Sequence, residues 1–257
     1  RDLVRSRGLG DVYKRQAYIR DEKLDTTYNY PRVWALQAFF SPEIQNDVTK
    51  NEFPVFVRAE KLISLADVRR AYYHHYQGTE HDPYFHKNPK EVYRPVAIFR
   101  ATNTHILQVR PELPKAIGEI NYVALGMAAL GIFIPLYQGV TSYPEAYSKG
   151  DHHCSEDSAY WILRKVQSLG MVNYNKYAPV IRDVYDRFEE EMHQRQEEME
   201  KDYLALYPTH PIAAQELLQN FSDKLLEDVL QVSRDLLNDL FTRLTIDVQA
   251  EYRFAGA

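Results

Sequence analysis

The change of pattern at Ser155 is the feature that most constrains the fold of this chain. Before Ser155, short segments rich in β-branched and aromatic residues are separated by turn-forming residues, which is typical of strands. After it, apolar residues recur at helical spacing over two long stretches, residues 155–206 and 213–246. Strands followed by helices, rather than alternating with them, predict an α+β fold.

The same pattern divides the 257 residues into three expected parts. Residues 1–16 are basic and aperiodic, so we interpret them as a non-native leader, with a native basic arm as the alternative. Residues 17–150 form the expected strand-rich part. Residues 151–257 form the expected helical C-terminal part, whose helices also offer a surface for a homo-oligomer.

Local patterns predict the elements before Ser155. Ser64 and Asp67 have the spacing of a capping box, which indicates a helix that ends by Gly78. The strands are expected at residues 28–40, 95–101, 103–110, 120–127 and 132–137. The last two strands are almost wholly apolar, so we expect them to be buried on both faces.

The C-terminal part has its own signals. Ser155, followed by two acidic residues, is the expected cap of the first helix. Gly170 and Pro179 are expected to interrupt the helical pattern. Residues 180–206 are charged nearly all round, so we expect this helical stretch to be mostly solvated.

Charge and composition exclude several classes of partner. The chain has 31 basic and 36 acidic side chains, and without a basic excess we expect no nucleic-acid partner. The longest apolar run, residues 122–137, is too short and too interrupted to span a bilayer, so we expect no membrane partner. Cys154 is the only cysteine, which excludes an internal disulfide and favours a cytoplasmic location, with secretion as the alternative.

The stretch RPVAIFRATNTHILQVRPELP, residues 94–114, is the best candidate for a site. It carries several polar side chains within a strand-like pattern, and burying them is costly unless each finds a partner. Strand alternation places Asn103 and His105 on one face, where they could orient a substrate amide or carboxylate. We expect that face to open toward a cleft beside a central strand. A fully bonded histidine within the sheet is the alternative.

Two other groups of residues contain possible metal ligands. Cys154, His152, His153 and Asp157 lie close together, but their spacing matches no known zinc pattern. His81, Asp82 and His86, with His74 and His75 nearby, could hold a metal, although surface histidines in a polar loop are the favoured interpretation. We therefore expect no metal and no cofactor.

Several stretches together resemble the C69 (formerly U34) dipeptidases, which belong to the N-terminal-nucleophile hydrolases. They are YNYPRVWALQAFF, YYHHYQGTEHDPY, the segment from RPVAIFRATNTHILQVRPELP through GIFIPLYQGV, and SAYWILRKVQSLGMVNYNKYAPVI. They follow the family's order from residue 28 to about residue 181. The resemblance implies the C-terminal part of a layered αββα-type fold, with antiparallel strands followed by long helices.

The resemblance also implies an activity. Members are cysteine amidohydrolases that cleave dipeptides without a metal, and the nucleophile is a cysteine at the mature N-terminus whose own α-amine can act as the base. We expect that cysteine upstream and absent from this chain, so no catalytic residue is assigned and the chain alone is expected to be inactive. Arg100, Asn103 and His105 lie in the matched segment and are expected substrate-binding residues. A non-catalytic binding or assembly module is the alternative function.

Overall fold

The chain divides into two compact units between Ile98 and Phe99. The structure is a computed structural model that describes residues 24–44, 46–48, 50, 53–85 and 93–252, so the expected leader lies outside the described residues. The sequence pattern predicts a boundary after residue 150, between an expected strand-rich part and an expected helical part. In the structure the sheet and the long helices belong to the same, second unit.

The described elements of the first unit are short helices: α1 spans Asp25–Tyr28, α2 spans Tyr30–Phe40 and α3 spans Leu65–Tyr72. The prediction of a strand over residues 28–40 is wrong. Pro31 lies in the first turn of α2, where its missing N–H would have no helical partner in any case. The aromatic and branched residues that indicated a strand here are accommodated by a helix, because such preferences depend on tertiary context.

The capping box predicted for α3 is confirmed. The Ser64 hydroxyl accepts from the Asp67 N–H at 3.2 Å, and the Asp67 carboxylate accepts from the Ser64 N–H at 3.0 Å. The helix ends at Tyr72, before Gly78, which lies in a following turn with φ +79°. The predicted strand at residues 95–101 is also wrong: the Ala97 N–H donates to the His74 carbonyl rather than to a strand ladder.

The second unit contains a three-stranded antiparallel sheet in the order β1-β2-β3. β1 spans Asn103–Val109, β2 spans Glu119–Leu125 and β3 spans Ile134–Tyr137. The short helix α4, Lys115–Gly118, precedes β2. The three strands predicted at residues 103–110, 120–127 and 132–137 are therefore confirmed, with small shifts at their ends.

The two faces of this sheet have different environments. On the inner face, Ile120, Tyr122 and Ala124 of β2 are buried. On the outer face, Leu107 and Val109 of β1 are 68% and 67% exposed. The expectation that β2 is buried on both faces is therefore wrong, because its alternate residues reach only an intermediate level of burial.

Three long helices follow the sheet: α5 spans Ala159–Val172, α6 spans Tyr174–Leu206 and α7 spans Pro211–Glu251. Ser158, not Ser155, precedes α5, and its hydroxyl donates to the Lys149 carbonyl. Gly170 lies inside α5 and Pro179 inside α6, so neither residue interrupts its helix. Within the part of the chain that the structure describes, no helix has the length and apolarity that crossing a bilayer requires.

The expectation that residues 180–206 are mostly solvated is wrong for one face of α6. The buried residues of this stretch recur at helical spacing, and they are Ile181, Tyr185, Phe188, Glu189, Met192, Gln196, Met199 and Tyr203. About one apolar residue per turn is enough to define a buried stripe. The many charges lie on the remaining faces, which hid the stripe in the sequence.

Polar side chains of α5 and α6 bind the backbone that connects β2 to β3. Gln167 accepts from the Met127 N–H at 2.9 Å and donates to the Leu125 carbonyl at 2.8 Å. Glu189 accepts from the Phe133 N–H at 2.8 Å. Gly126 is required between these contacts, because its φ is +77° and a Cβ there would lie 2.2 Å from the Gln167 Oε1.

We predict that Gln167→Ala destabilises the chain by about 3 kcal/mol, since it leaves a buried N–H and a partly buried carbonyl without their partner. Gln231→Ala on α7 is the matched control, because Gln231 is exposed and its change should fall within about 0.5 kcal/mol. Urea unfolding measures both variants. Equal stability of the two variants would contradict the assigned role of Gln167.

Candidate functional site

The residues predicted as substrate contacts lie at the start of β1. Asn103 and His105 are both exposed and lie on the same, outer face of the strand. Arg100 is exposed in the turn that precedes the strand. Within the described sheet β1 is an edge strand rather than the expected central one. Their part in substrate binding stays a prediction.

A groove of about 500 Å³ lies on the sheet at the other end of β1. Its lining includes apolar side chains of the outer face, such as Leu107 and Leu136, beside the polar Glu119, Asn121 and Gln138. The Oδ1 atom of Asn121 is buried and has no hydrogen-bond partner in the described part of the chain. Neither Asn103 nor His105 lines this groove, and the cleft expected beside them stays a prediction.

A polar network links the end of β1 to α6. Arg110 donates through two N–H groups to the two carboxylate oxygens of Glu200, each at 2.7 Å. Tyr137 donates to Glu200 at 2.7 Å, and Gln196 donates to the Tyr137 hydroxyl at 3.0 Å. Such a two-bond pairing fixes the orientation of both charged groups.

The Arg110 guanidinium and the Tyr137 phenol of this network both keep their protons across the ordinary pH range. The hydrogen bond from Arg110 to Glu200 raises the pKa of the guanidinium. Burial, followed by the neighbouring Glu200 charge, raises the pKa of Tyr137 far above its ordinary value, so the phenol stays protonated. Sequence reasoning missed Gln196 and Glu200, although their spacing of four residues and their position beside Met192 and Met199 could have placed them on the buried stripe.

A histidine and an aspartate are paired in the first unit. His75 Nδ1 and Asp82 Oδ1 are 3.0 Å apart and both residues are buried, so the interpretation of these histidines as surface groups is wrong for His75. Burial alone would raise the pKa of Asp82, but hydrogen bonds from His75, Tyr84 and Phe85 hold that pKa below its ordinary value.

His86 lies outside the described residues, and among those that are described no group of three or more side chains could hold a metal ion.

Tyr76 has an uncommon backbone conformation. Its φ is +66°, and it is the one residue other than glycine with a positive φ among those the structure describes. Such a conformation costs on the order of 1–2 kcal/mol for a residue with a side chain. The Tyr76 N–H donates to His74 Nδ1 at 3.1 Å, and its hydroxyl donates to the Arg94 carbonyl at 2.8 Å.

Cys154 is exposed in the turn before α5. A reactive cysteine normally lies in an electropositive, partly enclosed environment that stabilises its thiolate. The structure shows no such enclosure around Cys154. It therefore does not identify this residue as a nucleophile.

Burial, and then the neighbouring His75 charge, lower the pKa of His74 to about 4, against an opposing contribution from Asp82. The unfolded chain takes up this proton near pH 6.5 and the folded chain only near pH 4, so we predict that stability is full above pH 6.5 and falls by roughly 3 kcal/mol toward pH 4. His74→Asn should remove most of this loss, because its Oδ1 can accept from the Tyr76 N–H without titrating.

The measurement is urea unfolding between pH 4 and pH 7, followed by the fluorescence of Trp34 in a Trp161→Phe background, which confines the signal to the first unit. His152→Asn, at an exposed position, is the control and should keep the full pH dependence. If wild type and His74→Asn lose stability in parallel, His74 is not the group responsible.

Comparison with known proteins gives a consistent result. The model of "Peptidase family C69" matches residues 2–187. This range includes the basic N-terminal stretch, whose interpretation as a leader stays a prediction. The match also covers the sheet, the groove and the first half of α6, which together contain most of the residues described above.

Curated relatives carry dipeptidase names. Over 146 residues the chain is 50% identical to "Probable dipeptidase" of Salmonella dublin, which covers 56% of this chain and 33% of that protein. Over 231 residues it is 28% identical to "Dipeptidase A" of Lactobacillus helveticus, which covers 87% of this chain and 44% of that protein. The chain thus spans less than half the length of these relatives. Because the family model matches well over half of its residues, the chain belongs to Peptidase family C69.

Proposed function

We propose that this chain is part of a dipeptidase, an enzyme that hydrolyses the peptide bond of a dipeptide. The observation that carries the proposal is the 50% identity over 146 residues to a protein named as a probable dipeptidase. In the reaction a cysteine thiolate attacks the peptide carbonyl, the amine of the second residue leaves, and water releases the first residue from the thioester. The proton of the thiol goes to the leaving amine. The water supplies the hydroxyl group of the released acid and returns a proton to the thiolate.

The described residues of this chain act in binding and support in this proposal. Cys154 is exposed and is not the proposed nucleophile, so that group is expected in a segment of the enzyme that this chain does not contain. Arg100, Asn103 and His105 remain the proposed substrate contacts. Asn103 and His105 on the outer side of the sheet, and Arg100 in the turn before it, are all exposed in this chain and so accessible to a ligand.

We propose further that the outer face of the sheet is covered in the intact enzyme by a second sheet, as in a layered αββα-type fold. The exposed Leu107 and Val109 support this proposal, since neighbouring apolar side chains on a sheet face are normally buried against another layer. The inner face already packs with helices. A second sheet would turn the open groove at Leu107 and Asn121 into an enclosed pocket.

A chimera tests the function. Residues 24–187 of this chain replace the corresponding family segment of the Salmonella dublin relative, and hydrolysis of L-alanyl-L-alanine is measured. We predict that the chimera hydrolyses the dipeptide, that its Cys154→Ala form is equally active, and that this chain alone is inactive, since lacking an essential nucleophile costs on the order of a million-fold in turnover.

Two outcomes would contradict this prediction. A folded chimera without activity would favour a binding or assembly module over a dipeptidase. Turnover by this chain alone that disappears in Cys154→Ala would make Cys154 the nucleophile. Circular dichroism of each protein separates loss of activity from loss of folding.

Leu107→Asp tests the proposed second sheet. In this chain alone we predict a change in stability within about 0.5 kcal/mol, because Leu107 is exposed. In the chimera we predict a loss of several kcal/mol, because the carboxylate would be buried between two sheets without a partner.

Val172→Asp is the matched control, because Val172 is also exposed, at 62%, but lies at the end of α5 away from the sheet face. It should have a small effect in both proteins. Equal, small effects of Leu107→Asp in both proteins would show that no layer covers this face.

A further inference from the structure

Two arginines of the first unit converge on one residue, Tyr28. Arg32 donates through Nε to the Tyr28 carbonyl at 2.5 Å and through Nη2 to the side chain of Asn29 at 2.5 Å. The Arg94 guanidinium lies over the Tyr28 ring, 5.8 Å from its centroid. Two positive groups from distant parts of the sequence are therefore held beside the same short helix.

The charge of this pair is not neutralised within the described residues. Neither guanidinium forms an ion pair with a carboxylate there, and the Nε atom of Arg94 is buried without a hydrogen-bond partner. The nearby Asp25 carboxylate accepts from the Asn29 amide, whose oxygen in turn accepts from Arg32. Burial, and then the neighbouring Arg94 charge, lowers the pKa of Arg32.

Tyr76 fixes the position of Arg94. Its hydroxyl donates to the Arg94 carbonyl, and the Arg94 N–H donates to the Thr27 carbonyl at 2.9 Å. The side chain of Tyr76 is fully buried although its backbone has φ +66°. Backbone strain of this kind persists only where the surrounding structure enforces it, and it is concentrated at binding sites. Here the strained residue holds one of the two converging arginines.

We propose that Arg32 and Arg94 form a binding site for the free α-carboxylate of a peptide. The site itself follows from the convergence, the burial and the missing counter-charge, while the choice of a peptide as the ligand rests on the proposed dipeptidase function. A guanidinium presents parallel N–H groups that match the two oxygens of a carboxylate. Such an anion would satisfy the buried Nε of Arg94 and offset the repulsion between the two arginines.

Calorimetric titration of the chain tests the site with four probes: L-alanyl-L-alanine, its C-terminal amide, acetate and inorganic phosphate. The dipeptide should bind roughly tenfold or more tightly than its amide, which is the difference expected from one charged hydrogen-bond pair. Acetate should compete with the dipeptide. Phosphate should bind more weakly than the dipeptide.

Variants assign the binding to the two arginines. Arg32→Gln and Arg94→Gln should each lose most of the affinity, whereas Arg58→Gln, at an exposed position of the same unit, should retain it. If Arg94→Gln fails to fold, Arg94→Lys keeps the charge but not the paired N–H groups, and should bind the dipeptide several-fold more weakly than wild type.

Several results would overturn the proposal: equal binding of the dipeptide and its amide, tighter binding of phosphate, or unchanged affinity in both glutamine variants. The outcome is separable from that of the proposed function. Arginine-dependent binding by this chain, together with an inactive chimera, would support the carboxylate site and contradict the proposed dipeptidase function. An active chimera in which the chain shows no such binding would do the reverse.

Discussion

The sheet of the second unit depends on helix side chains that bond to the backbone between β2 and β3. Buried N–H and carbonyl groups outside a strand ladder need partners, and Gln167 and Glu189 provide them from α5 and α6. These contacts join residues that are 40 to 56 positions apart in the sequence. The sheet and the helices are therefore expected to become stable together, since neither satisfies its buried polar groups alone.

The same arrangement explains why the two faces of the sheet differ. The hydrogen bonds from Gln167, Glu189 and Gln196 reach the inner face or the adjoining connection. The network of Arg110, Glu200 and Tyr137 joins the end of β1 to α6 from the same side. The outer face receives nothing comparable from the described residues of this unit. An apolar surface that is held rigid on its other side is well suited to pack against a further layer.

Sequence patterns predicted what is local and missed what is distant. The alternation in β1 and the capping box at Ser64 each involve residues within a few positions, and both are present in the structure. The strand expected at residues 28–40 is a helix, because its composition is compatible with either element and tertiary packing decides. Glu200 bonds to Arg110 across 90 positions, and Arg32 and Arg94 also lie far apart in the chain, so no local period could indicate which residues these side chains meet.

Buried polar atoms without partners lie both at the proposed binding surfaces and in the network that supports the sheet. Gln167 is fully buried, and both ends of its amide are bonded, so it needs nothing from outside the chain. Four other buried atoms have no partner among the described residues: the Arg94 Nε, the Asn121 Oδ1, the Arg110 Nε and the Gln196 Oε1. An unsatisfied buried group costs about 1–3 kcal/mol. Arg110 and Gln196 offset that cost through the bonds of their other atoms to Glu200 and Tyr137, whereas the Arg94 Nε and the Asn121 Oδ1 lie where we propose that a ligand or a further layer supplies the missing bond.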